Sequence, residues 1–164
     1  PTPRLLRRQR QMCIRDRVTY HGIGQLMIYP LLDLRRANIG VRPLVTALEQ
    51  SVVDLCADFG FSAAARKEAP GVYVGKDKLA SIGLRIRRGC SFHGMALNVD
   101  IDLEPFARIN PCGFAGLEMT DLNRLGIAVD LEQSARQLLP HFLRHLGLDQ
   151  VDVVRESTAT GLPH

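Results

Sequence analysis

The segment ARINPCGFAGLEMT, residues 107–120, holds one cysteine, Cys112, between Pro111 and Gly113. No apolar stripe surrounds it. The pairs Asn110-Pro111 and Cys112-Gly113 are loop signals, so this thiol is either incidental or positioned to react. A reacting cysteine works as its thiolate, which near neutral pH needs a cation, a helix N-terminus or a base beside it. Three residues are candidates for that neighbour: His21 in TYHGIG, Lys78 and His93. Lys78 continues the alternation of Ala80, Ile82 and Leu84, which places it on an apolar face. A lysine there either snorkels from the strand end or stays partly desolvated, with a proton that is easier to share. His93 falls on the same apolar face and reads as a satisfied core histidine. His21 stands in a Gly-rich loop whose backbone N–H groups suit an oxyanion. Of the other thiols, Cys56 follows Val52 by one helical turn and reads as core. Cys90 follows RIRRG, a cluster able to favour a thiolate, but beside a hairpin turn it lacks a pocket. Arg85, Arg87 and Arg88 read as a solvated face or as a docking patch for an acidic partner.

Several elements must hold these groups. RPLVTALEQSVVDLCADFG sets Leu44, Leu48, Val52, Leu55 and Phe59 at helical spacing, with Pro43 in the first turn and Gly60 as the stop. KLASIGLRIRRGCSFHGMALNVDID reads as two alternating strands around an Arg88-Gly89 turn. With Arg87 opposite Cys90, Ala80, Ile82 and Leu84 face Leu97, Met95 and His93 on a core side. Ser81 and Gly83 then face Ala96 and Gly94 on the other side, a patch nearly bare of side chains that admits the close approach of a helix or a ligand. QLMIYPLLDL (25–34) predicts a short buried strand, with Pro30 marking an edge or a bulge. Leu131, Ala135, Leu138, Leu139, Phe142 and Leu146 predict a last helix, capped by Asp130, kinked at Pro140 and stopped at Gly147.

The 164 residues, 46% hydrophobic, suit one domain with a sizeable core. The formal charge of +4 is concentrated at one end. Residues 1–17 carry six arginines and one aspartate, against 15 basic and 16 acidic residues in the rest. A nearly neutral body with no Trp gives little support for nucleic-acid binding. No apolar run reaches membrane-spanning length and no signal-peptide centre is seen, so a cytoplasmic protein is expected. Cysteines at 13, 56, 90 and 112 lack the paired spacing of a zinc site, so no metal is expected and all four are expected as free thiols. The expected division is a leader over 1–17, foreign to the domain or disordered, a domain over 18–148 and a frayed tail over 149–164.

Taken together, VTYHGIGQLMIYPLLDLRR and APGVYVGKDKLASIGLRIRRGCSFHGMALNVDIDLEPFARINPCG resemble the octanoyltransferases of lipoate biosynthesis, with the motifs in the family's order. The likeness runs from Val18 to Thr120 and more loosely through the last helix. Two departures are visible: Ile14-Arg15-Asp16-Arg17 stands where the family reads Arg-Gly-Gly-x, and Ile23 replaces a proline. The family's N-terminal region is not found here, so a fragment is expected. The resemblance implies an α/β fold with a mixed sheet, similar to biotin and lipoate protein ligases. It implies transfer of an octanoyl group from octanoyl-acyl carrier protein to a lysine on lipoyl domains of 2-oxoacid dehydrogenases or the glycine-cleavage protein; separately, a monomer without cofactor is expected. It implies Cys112 as the acyl-thioester residue and Lys78 as the residue lowering its pKa. It implies acyl binding by Arg17, Val18, Thr19, Tyr20 and His21, by Ser81, Ile82 and Gly83, and by Gly94, Met95 and Ala96. Strict alternation puts Lys78 and Ser81 on opposite faces, so both serve one site only if the strand bulges near Lys78. An ATP-dependent lipoate ligase and a non-catalytic fragment that docks carrier or lipoyl domains are the competing readings. No nucleotide-binding glycine and lysine loop is found for the ligase.

Overall fold

Arg88 and Gly89 reverse the chain with φ of 53° and 86°. Both central residues in the left-handed region define a turn whose twist matches that of the flanking strands. In the computed structural model, which describes residues 20–66, 69–108 and 117–148, that turn joins β4 (Asp77–Arg87) to β5 (Cys90–Asn98). The register is the one predicted: Arg87 pairs with Cys90, Gly83 with Gly94, Ser81 with Ala96 and Ala80 with Leu97. The other strands are β1 (Gln25–Ile28), β2 (Ala63–Ala65) and β3 (Gly71–Val74). The sheet order is β1-β5-β4-β3-β2, each neighbouring pair antiparallel. A parallel bridge between Lys78 and Met119 makes it locally mixed. The predicted leader over 1–17 and tail over 149–164 lie outside the described residues.

β1 stops at Ile28, well short of the predicted Asp33 region, because Pro30 has no N–H to donate to a ladder. Its place is an edge of the sheet, as the proline indicates. β2 and β3 are additional to the predicted elements; three alanines carry little strand signal of their own.

Helix α1 (Val41–Asp58) starts after an extended Gly40, with Pro43 in the first turn where no N–H partner is required. At its end Gly60 takes φ 81°, Gly60 N–H reaches Ala57 O at 2.9 Å and Phe61 N–H reaches Cys56 O at 2.9 Å. This pair of bonds closes the last carbonyls in a Schellman arrangement. After the short α2 (Glu104–Ala107), α3 (Leu131–Leu146) opens with a capping box: Gln133 N–H donates to Asp130 Oδ1 at 2.7 Å, and Asp130 N–H donates to Gln133 Oε1 at 3.2 Å. Gly147 ends it at φ 69°.

Both long helices cover one face of the sheet. Leu44, Leu48, Val52, Leu55, Leu138 and Phe142 form one core with Val72, Leu79, Ala80, Met95 and Leu97. Leu131 departs from its predicted place on this stripe, since it opens the helix and is 39% exposed, whereas Ser134 is buried. On the opposite face Ile101, Leu103 and Phe106 form a small second cluster with Tyr20 and Met119.

Candidate active site

Lys78 is 1% exposed, and its neighbours Leu79 and Ala80 are buried as well. Three consecutive buried residues need either cover on both faces of the sheet, as along Met95–Asn98 of β5, or a break in the alternation. The pairing with β3 explains them: Gly71 pairs with Ser81 and Val72 with Ala80, but Tyr73 pairs with Lys78, so the register shifts by one at Leu79. Leu79 is the extra residue of a β-bulge, and it enters the helix-side core. Gly71 and Tyr73 lie two apart on β3 and share a face, so their partners Ser81 and Lys78 share it too. The bulge that the site required is present, and the alternation that placed Lys78 beside Ala80 is corrected by it.

Lys78 lies over a glycine. A Cβ added at Gly71 would fall 2.3 Å from the Ala80 carbonyl oxygen and 2.5 Å from Lys78 Cε, so the backbone requires glycine here and the lysine stem occupies the space beside it. The ammonium sits 5.6 Å from the centroid of Tyr73, within cation–π range. The Tyr73 hydroxyl donates to Ala69 O at 2.9 Å, which fixes that ring. Lys78 N–H donates to Glu118 O at 2.9 Å and Lys78 O accepts from Thr120 N–H at 3.0 Å. The strand end is thereby tied to residues 118–120, which follow Cys112 in sequence. Cys112 itself, with Arg17, Val18 and Thr19, lies outside the described residues.

The bare patch divides in two. A Cβ at Gly94 would fall 2.0 Å from Ile28 O and 2.6 Å from Pro30 Cδ, so the end of β1 already covers that glycine. A Cβ at Gly83 meets nothing within 4 Å. Close approach is therefore the chain's own at Gly94 and open at Gly83. Ser81 is half-buried and Ala96 is buried on this same face, while Ile82 and Met95 point into the helix-side core. Of the two inner segments expected to bind the acyl group, the side chains of Ser81 and Ala96 thus share a face with Lys78, and those of Ile82 and Met95 do not.

A line of buried polar groups crosses the same face. His21 Nδ1 lies 3.1 Å from Gln25 Oε1, Gln25 Nε2 donates to Asn98 Oδ1 at 2.8 Å, and Asn98 Nδ2 donates to Thr120 O at 2.9 Å. Gln25 and Asn98 are cross-strand partners. Sequence reading missed both, because an amide at a strand end acquires meaning only once the register sets another amide opposite. Tyr20 packs edge to face on Phe106, at 5.2 Å between centroids. Ile23, which replaces the family's proline, is 98% exposed.

One candidate neighbour departs from its expected place, and Cys56 is the core thiol expected. His93 pairs with Leu84, but its φ of 65° breaks the extended backbone, and its half-buried ring lies 6.4 Å from that of Tyr29. It is not a core histidine. Cys56 is fully buried, and burial pushes its thiol up to about 11, which keeps it protonated near neutral pH. Cys90 is half-buried beside the turn. Among the described residues no cluster of His, Cys, Asp or Glu fits a metal ion.

The lipoyl protein ligase A/B catalytic domain profile matches residues 17–143. This chain belongs to that family. Its curated relatives include the octanoyltransferase of Shewanella halifaxensis (strain HAW-EB4), 55% identical over 134 residues, covering 82% of this chain and 61% of that protein. The octanoyltransferase of Erwinia tasmaniensis is 56% identical over 135 residues, covering 82% and 60%. The chain thus spans about three-fifths of the length of these relatives. Among solved structures, biotin protein ligase from Aquifex aeolicus matches with a TM-score of 0.60 at 17% identity, covering 76% of this chain and 53% of that one. Lipoate-protein ligase A bound with ATP matches with a TM-score of 0.62 at 16% identity, covering 84% and 58%. These likenesses confirm the α/β ligase-like fold. The sheet of this chain carries the bulged lysine, the open glycine and the polar line on one face.

Proposed function

We propose that this chain is the catalytic part of an octanoyltransferase that carries the acyl group on Cys112. The observation that carries the reading is Lys78: a buried lysine that a bulge turns onto the face with Ser81 and the open Gly83, bonded through its backbone to the segment after the Cys112 loop. In the first half-reaction the Cys112 thiolate attacks the thioester of octanoyl-acyl carrier protein. A C–S bond forms at the carbonyl, the bond to the carrier's sulfur breaks, and the carrier thiolate takes a proton from the Lys78 ammonium. In the second, the amine of a lipoyl-domain lysine attacks the acyl-enzyme. A C–N bond forms, the Cys112 thiolate leaves, and the amine's proton returns to Lys78. The relatives' name, octanoyltransferase, supports the choice of acyl group.

The proposal places this chemistry on the domain over 18–148, in a cytoplasmic monomer that needs no cofactor. Among the described residues no helix is long and apolar enough to cross a membrane. Incubation with octanoyl-acyl carrier protein, followed by intact and peptide mass measurement, tests the reading. Octanoylation of Cys112 without ATP supports it. Capture that requires ATP points to a ligase, and carrier binding without any capture points to a docking fragment.

A further inference from the structure

The polar line from His21 to Thr120 has a direction. The Thr120 carbonyl only accepts, so the Asn98 atom 2.9 Å away is the amide nitrogen. Asn98 Oδ1 then accepts from Gln25 Nε2 at 2.8 Å, which leaves Gln25 Oε1 facing His21 Nδ1 at 3.1 Å. Two bare acceptors at that separation repel, so Nδ1 carries the proton. In the neutral ring Nε2 is then an acceptor, and it is buried with no partner among the described residues. Buried acceptors are costly to leave unpaired, so this one calls for a reason, and a donor that arrives with a ligand supplies one.

The donor would arrive on a defined face. Gln25 pairs with Asn98 on β1 and β5, two residues along from Ala96, and Ala96 pairs with Ser81. The far end of the line, Thr120, donates its N–H to the Lys78 carbonyl. His21 and Lys78 are therefore joined by hydrogen bonds on one side of the sheet.

We infer that Gln25 and Asn98 are positioning residues that hold His21 in its Nδ1–H form, so that Nε2 accepts a hydrogen bond from an N–H of the ligand on the Lys78 face. The ligand's identity rests on the octanoyl-transfer reading; the tautomer does not. The octanoyl chain and the thioester carry no N–H. The acceptor lysine's amine does, and so do amides in the arm that carries the thioester.

NMR of the full chain labelled with 15N in its histidines, with His21→Gln to assign the signal, reads the tautomer directly. The expected result is a protonated Nδ1 and an unprotonated Nε2 at a pH where the ring is neutral. Gln25→Met removes the acceptor and shifts His21 toward the Nε2–H form. Gln25→Glu returns an acceptor and restores the Nδ1–H form. A wild-type ring protonated on Nε2 overturns the inference, and so does a ring indifferent to both Gln25→Met and Asn98→Leu. If Gln25→Met does not fold, wild type and Gln25→Glu decide alone. In transfer assays Gln25→Met raises one KM by about tenfold, the size of one lost hydrogen bond. A rise for the lipoyl-domain acceptor identifies the amine, and a rise for the carrier thioester identifies the arm. Unchanged KM for both, with the tautomer lost, overturns the acceptor role. A chain with the Nδ1–H form that captures no octanoyl group keeps the tautomer and defeats the transfer reading instead.

Discussion

The two faces of the β4–β5 hairpin are made from the same residues in strict succession, yet they differ in nearly every physical respect. On the helix side Ala80, Leu97 and Met95 pack under α1 and α3 in a closed apolar core. On the other side stand Lys78, a half-buried serine, an uncovered glycine and a line of buried amides. Leu79 and Lys78 are adjacent in sequence and both are at most 1% exposed, but the bulge sends one to each face. The helix side stabilises the fold through apolar area removed from water, and the other side holds polar groups whose cost that area offsets.

Adjacent substitutions break this contrast most sharply. Lys78→Met should lower octanoyl transfer by about 10²-fold or more, in the range of a lost general acid–base group, while Tm falls little. If Cys112 is the proposed thiolate beside Lys78, the substitution should also raise the pH midpoint of Cys112 alkylation by roughly one unit, about 1.4 kcal/mol, because the thiolate would lose that cation. An unchanged midpoint in the folded variant defeats the role assigned to Lys78. Leu79→Ala should do the reverse, costing about 2–5 kcal/mol in denaturant unfolding with the residual folded enzyme still active. Loss of activity at full stability would show that the bulge residue serves the chemistry as well as the core.

The two glycines sharpen the same comparison. Gly94→Ala drives a methyl group into the Ile28 carbonyl and should cost about 1–3 kcal/mol. Gly83→Ala meets nothing and should leave Tm within error while slowing transfer, if the open patch admits the acyl group. Equal melting of the two variants would mean that β1 does not seal Gly94 in solution.

The smallest effect belongs to the outer seam between the helices. Arg144 and His145 on α3 reach Asp54 on α1 at 2.9 Å and 2.7 Å. Burial raises the Asp54 pKa, but the hydrogen bonds from His145 and Arg144 and their charges outweigh it and hold the carboxyl below its usual range. A depressed carboxylate stabilises the fold above its unfolded pKa, about 3.9, and loses that contribution as pH falls through the folded value. Asp54→Asn should therefore cost under about 1 kcal/mol at pH 7, and the difference from wild type should vanish in strong acid. A loss that persists at low pH would assign the effect to packing.

Much of this was legible in sequence order. The Arg88-Gly89 turn and the alternation around it fixed which residues of β4 and β5 oppose one another, because a two-residue turn leaves no slack in the register. The stripe of Leu44, Leu48, Val52 and Leu55 and the Asp130 cap placed the helices for equally local reasons. His93 was misplaced because alternation assumes extended backbone, and a φ of 65° is set by what surrounds the strand. The short strand β2 escaped because three alanines carry no strand signal, and β3 because Val72, Tyr73 and Val74 are too few to show a period.

What the sequence determined by itself is whatever follows from neighbours along the chain: turn chemistry, helix caps, the pattern of apolar residues and the motifs that resemble the octanoyltransferases. The tertiary structure decided on which face Lys78 stands, since a bulge is a mismatch between two strands and neither strand alone contains it. It also decided that Gly94 is sealed and Gly83 open, and that Gln25 and Asn98 meet, 73 residues apart. Those are contacts between segments distant in sequence, and their energies depend on which atoms folding brings within reach.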